Sequence, residues 1–142
     1  MGFQDVTIRL VLSVLLSGLI GLEREIKQHG AGLRTHILVC LGSTLIMLTS
    51  LYVFDIYKDI VNLDPARIAS GIITGIGFLC AGTIIRYGGT VKGLTTAASL
   101  WVTAAVGMAI GCGFYKAAII TTLIVFVVLT MFSEFAKKIK KK

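Results

Sequence analysis

Residues 37–54 read ILVCLGSTLIMLTSLYVF, eighteen positions without a formal charge. A helix needs about 17–25 apolar residues to cross a bilayer, so this one run decides between water and lipid as the solvent. Four similar runs surround it. Residues 68–85 and 94–113 carry no charge over 18 and 20 positions, 117–132 adds 16, and 6–22 is interrupted only by Arg9. Together they account for 89 of the 142 residues. The composition agrees: 56% of residues are hydrophobic, 15% are charged, and the mean hydropathy is +0.90. A soluble domain carries about 25% charged residues. A water-soluble chain of this size could not bury so much apolar surface, which excludes a typical cytosolic enzyme.

The first run lacks a lysine-rich leader, and Leu22, Glu23, Arg24 and Glu25 do not form a small-residue cleavage site, so it reads as a retained helix. The expected fold is an all-α membrane protein, a compact bundle of about five transmembrane helices. The expected division is a transmembrane domain over 1–136 and a lysine-rich cytoplasmic tail over 137–142. Arg24, Lys27 and Arg34 follow the first run, Arg86 and Lys92 follow the third, and five lysines fall in the last six positions. These ten basic residues share one side, against Arg9, Lys58, Arg67 and Lys116 on the other. The positive-inside rule then predicts an outside N-terminus and a cytoplasmic C-terminus. Arg9 is placed to pair with Asp5 one helical turn earlier.

The net charge of +7 follows largely from the lysine tail, which suits an anionic lipid surface. Nucleic acid is not an expected partner, since no aromatic platform accompanies these lysines. Cys40, Cys80 and Cys112 lie in or at the ends of apolar runs without CxxC spacing, and read as buried, inert thiols. Gly71 and Gly75, Gly107 and Gly111, and Gly77 and Ala81 are each spaced by four, which places small residues one turn apart for close helix packing. Tight packing inside the bundle, a dimer interface and a pore lining all use such faces.

Ionisable groups at membrane depth are functional candidates by default, because lipid makes them costly. Glu23 and Glu25 end the first run, and Arg34 and His36 open the second after a glycine-containing loop. A tight hairpin there is expected to bring these carboxylates near Arg34 and His36. Asp64 and Pro65 read as an N-cap and first helical residue ahead of Arg67. Arg86, Lys92, Thr95 and Thr96 gather before and at the start of the fourth run.

On these residues the chain resembles the MgtC/SapB family of bacterial inner-membrane proteins. The resemblance rests on GLIGLERE at 18–25, AGLRTH at 31–36, GIGFLCAG at 75–82 and VKGLTTAASLW at 91–101. Cys80 and Lys92 depart from it, standing where the family pattern has glycine and often arginine. The resemblance implies a multi-pass protein of the bacterial inner membrane tied to magnesium-limited growth, stress and virulence. It also implies a short form without the soluble domain that longer members carry after the last helix. Family members are described both as magnesium transporters and as regulators of other membrane proteins, the ATP synthase among them.

Two functions follow as expectations. A regulator would bind a partner membrane protein, or a second copy as a homodimer, through small-residue faces, and sense a ligand at Arg34, His36, Arg86, Lys92, Thr95 and Thr96. A transporter would hold Mg²⁺ at Glu23 and Glu25, with a proton as the variant cargo and the hydroxyls of Ser70, Thr74, Thr95, Thr96, Ser99 and Thr103 along its path. No resident cofactor is expected beyond such Mg²⁺. No nucleotide-loop, hydrolase or metalloprotease spacing appears, so the chain is not expected to be an enzyme. Glu25→Gln and Arg34→Ala are expected to abolish activity without preventing insertion.

Overall fold

The computed structural model describes residues 1–28 and 30–139, with side chains as far as Met131. His29 and the tail's Lys140, Lys141 and Lys142 lie outside the described residues, and Lys137 and Lys138 are described by their helical backbone alone.

The chain forms five helices: α1 (Phe3–Ile26), α2 (Leu33–Tyr57), α3 (Pro65–Thr83), α4 (Leu94–Gly111) and α5 (Tyr115–Ile139). Helices α1 to α4 are long and apolar enough to cross a membrane, which makes this a multi-pass, all-α membrane bundle. The fifth expected span falls in α5, whose described apolar part is Tyr115–Met131, at the lower end of the length needed for a crossing. Helix α4 is the hub and packs on each of the other four. Helix α3 sits at the edge, against α4 and α2.

One element was not expected. The run 68–85 was read as a single helix, but α3 stops at Thr83, and Ile85–Tyr87 (β1) pairs antiparallel with Thr90–Lys92 (β2). Hydropathy alone cannot separate a helix end from a strand rich in isoleucine. The separating signals are local: β-branched and aromatic residues on both sides of a Gly88–Gly89 turn, with Gly88 at φ +59°. Gly93 then enters α4 at φ +91°, where an added Cβ would strike the Thr83 carbonyl.

The helix ends are well satisfied. Asp64 Oδ1 accepts the Ala66 N–H at 2.8 Å, with Pro65 opening α3 as expected. Helix α4 closes in a Schellman turn at Gly113 (φ +85°), with the Phe114 N–H donating to the Ala109 carbonyl at 2.7 Å and the Gly113 N–H to Ile110. Arg9 pairs with Asp5 at 3.0 Å and donates to the Gly111 carbonyl at 2.6 Å, so a guanidinium also caps the C-terminal end of α4.

The two GxxxG pairs separate. Gly107 and Gly111 lie against α2: a Cβ at Gly107 would meet the Cys40 carbonyl and Ser43 Cβ, and one at Gly111 would meet Met47 Cβ at 2.6 Å. Around Gly71, Gly75 and Gly77 an added Cβ would meet nothing within 4 Å, so these three do not pack within the bundle. The same spacing serves two purposes because α4 is enclosed and α3 is at the edge.

Candidate functional site

Helices alternate in direction, so the C-terminal ends of α1 and α3 and the N-terminal ends of α2 and α4 share one end of the bundle. The site begins where α1 and α2 nearly touch. A Cβ on Gly21 would lie 2.8 Å from Leu33 Cα and 3.1 Å from His36 Cβ, so the absent side chain lets α2 bring His36 fully inside. There His36 Nδ1 bonds the Gly32 carbonyl at 2.8 Å and Nε2 bonds Ser99 Oγ on α4 at 3.1 Å. Each ring nitrogen is held by a different helix.

Beside it, Glu23 and Arg24 are 5% and 3% exposed, a burial that charged groups rarely reach unless paired. Arg24 Nη2 donates to Thr96 Oγ1 at 3.1 Å, which joins α1 to α4. Glu23 Oε1 lies 2.7 Å from Lys27 Nζ, and that ammonium also donates to the Leu129 carbonyl of α5 at 3.1 Å. Glu23 Oε2 and Arg24 Nε have no hydrogen-bond partner among the described residues. Ser99 and Thr103 turn back to α4, donating to the Thr96 and Ser99 carbonyls at 2.9 and 2.7 Å. The result is a buried polar junction that ties α1, α2, α4 and α5 together at one end.

The expected cluster is only partly assembled. Glu23, His36 and Thr96 meet in the junction, whereas Glu25, Arg34, Arg86, Lys92 and Thr95 are exposed. Arg67 is exposed at the opposite end, where α3 begins. The carboxylates do not converge on Arg34, which makes no ion pair among the described residues. Glu25 Oε2 instead accepts the Leu33 N–H at 2.9 Å. This carboxylate completes the first turn of α2, whose N-cap Gly32 has no side chain to do so.

Glu23 and Glu25 do not converge in this structure. Two residues apart on a helix, one is buried against Lys27 and the other is outside. Among the described residues no group of three or more His, Cys, Asp or Glu stands where it could hold a metal ion. The hydroxyl series divides in the same way: Thr96, Ser99 and Thr103 are buried, and Ser70, Thr74 and Thr95 are exposed.

Arg24 and Lys27 are partners that the sequence did not mark as site residues, and Ser99, expected along a transport path, instead holds His36. The i,i+4 spacing of Glu23 and Lys27 was legible. The pairings of Arg24 with Thr96 and His36 with Ser99 span 72 and 63 residues and leave no local signal.

The capping role of Glu25 has a measurable consequence. Glu25→Ala is expected to cost about 1 kcal/mol of stability, the usual loss of a helix cap, while Glu25→Gln keeps an acceptor and most of it. Arg34→Ala, on the surface, is expected to stay within about 0.5 kcal/mol. Thermal melts of the detergent-purified variants make the comparison.

The MgtC family pattern matches residues 10–138. YhiD of Escherichia coli K12, a magnesium transporter by its provisional name, is 45% identical over 137 residues, covering 95% of this chain and 64% of its own. MgtC of Salmonella typhimurium is 40% identical over 134 residues, 94% of this chain and 55% of its own. An uncharacterized Synechocystis protein is 40% identical over 129 residues, 89% and 52% of the two chains. The chain thus spans about half to two thirds of the length of these relatives. No solved structure matches.

Proposed function

The chain belongs to the MgtC family, and from that premise we propose that it serves magnesium homeostasis in a bacterial inner membrane as a regulator that docks on other membrane proteins. It carries out no catalysis and keeps no resident cofactor. One observation carries this reading: Ser70, Thr74, Gly77 and Ala81 recur at helical spacing along α3 and are all exposed. In lipid, helices associate through close backbone approach at small residues and through interhelical hydroxyl bonds, and this face offers both. The buried side of α3, with Ala69, Ile72, Ile76 and Cys80, holds it to the bundle and leaves that outer face free for a partner helix.

The polar junction supports the same reading. Thr96 and Ser99 are bonded across helices by Arg24 and His36, while Thr103 bonds back within α4, and the two cross-links fix the frame that presents α3. Transport is the second reading, favoured by one observation. Glu23 Oε2 is buried at the end of α1 without a hydrogen bond from the described residues, and an open carboxylate oxygen suits a proton or a cation.

Two measurements separate them. A photo-crosslinker at Thr74 in native membranes is expected to capture a partner membrane protein, and the Thr74→Leu, Gly77→Leu pair is expected to reduce capture by a second probe on α3 at least tenfold, about 1.4 kcal/mol of association. Purified protein in liposomes is expected to pass no more Mg²⁺ or protons than protein-free liposomes. Flux above that background, lost in Glu23→Gln, would establish transport and overturn the regulator.

A further inference from the structure

Between α2 and α3 the bundle has an apolar cavity of about 520 Å³, within the range of about 300–1,000 Å³ typical of small-molecule sites. Val39, Gly42 and Ile46 line it from α2, and Ile72, Gly75 and Leu79 from α3. Its emptiness is written in glycine: an added Cβ at Gly42 or Gly75 would meet nothing within 4 Å. This groove is a different side of α3 from the Thr74 face.

Its length limits what it can hold. Along α2 the lining runs from Thr35 to Ile46, eleven rises of about 1.5 Å, or roughly 17 Å. The hydrocarbon core of a bilayer is about 30 Å thick. The groove therefore starts at the end of the bundle that carries the β-hairpin and stops near the midplane, spanning one leaflet. A transmembrane partner helix needs the whole thickness, whereas an acyl chain needs half.

The charge at that end of the bundle names the headgroup. Arg34 precedes Thr35, and the hairpin that follows α3 carries Arg86 and Lys92. All three are exposed and make no ion pair among the described residues. Glu25, an exposed carboxylate of that end, is engaged by the Leu33 N–H. Exposed cations at the end of the bundle where a one-leaflet apolar groove begins complement a phosphate joined to a hydrocarbon chain. We propose that the α2–α3 groove binds one anionic phospholipid from the surrounding bilayer, with an acyl chain along Gly42 and Gly75 and its phosphate at Arg34, Arg86 and Lys92. This holds whether the protein regulates or transports.

The test uses the full chain in bilayers of phosphatidylcholine with a minority of phosphatidylglycerol, released into native mass spectrometry. Wild-type protein is expected to retain one phosphatidylglycerol in preference to phosphatidylcholine. Arg34→Gln, Arg86→Gln and Lys92→Gln are each expected to lower that preference about fivefold, the effect of one basic residue at an anionic surface. Gly75→Leu fills the groove and is expected to remove the bound lipid while circular dichroism stays helical; Gly42→Leu repeats the experiment from the other wall. Equal retention of the two lipids by the wild type overturns the proposal, as does a bound phosphatidylglycerol that survives both leucines. A dimer mass that disappears with Gly75→Leu would assign the groove to a second copy and also overturn it.

Discussion

Gly107→Leu is expected to destabilise the bundle by at least about 3 kcal/mol, whereas Gly75→Leu, at the same motif position on the neighbouring helix, is expected to change stability by less than about 0.5 kcal/mol. The difference lies in what a new side chain meets. At Gly107 even a Cβ would press on the Cys40 carbonyl and lie 2.8 Å from Ser43 Cβ, so the obstacle is largely backbone that cannot rotate away. Separating α2 from α4 to make room would also break the bond from Thr44 Oγ1 to the Gly107 carbonyl, 3.0 Å long and fully buried. Overpacking costs about 1–3 kcal/mol and occasionally more, and a lost hydrogen bond adds about 1. Because α4 packs on every other helix, the strain has nowhere to dissipate. At Gly75 the space is open. Thermal unfolding in one detergent, read for both variants beside wild type, gives the comparison; equal losses would mean that α3 is packed as tightly as α4.

That contrast marks the limit of reading this fold from sequence. Hydropathy located every helix, because lipid demands long uncharged runs. It misjudged their ends: α1 and α2 continue through the polar flanks to Ile26 and Tyr57, and α3 was carried two residues too far, into the strand at Ile85. What hydropathy could not supply was each helix's rotation. Helices α2 and α4 are apolar nearly all round and give no moment to aim them, and glycine spacing alone made Gly71 with Gly75 and Gly107 with Gly111 read alike although only the second pair is enclosed.

The candidate site was legible to the same depth. Glu23 and His36 stood out as costly groups at the ends of apolar runs, and the structure buries both. Glu25 and Arg34, two residues from each of them, looked equally important and face outward, since two residues on a helix are about 200° apart. The sequence shows which residues are expensive in lipid, and only the packing shows which of them stay there.

Glu23→Ala is expected to cost about 3–5 kcal/mol, the usual consequence of removing one partner from a buried ion pair. Arg24, 3% exposed, would then stay buried without the carboxylate beside it, and Lys27 would lose its 2.7 Å contact with Glu23. Part of the loss can be recovered if Lys27 leans further toward the Leu129 carbonyl, which it already reaches. Removing both charges should behave differently. Glu23→Gln with Lys27→Met replaces an ion pair by neutral groups of similar shape, a change that is often neutral or stabilising because neither ion must then be stripped of water. A double-mutant cycle in thermal melts is therefore expected to show a large coupling, with the pair of substitutions far milder than Glu23→Ala. The same double variant separates the two functional readings. If the junction only holds the frame that presents α3, the neutral pair restores growth in low magnesium together with stability. If Glu23 carries a proton or a cation, stability returns and growth does not. The regulator reading predicts the first result, and the second would move the function from the outer face of α3 to the open oxygen of Glu23.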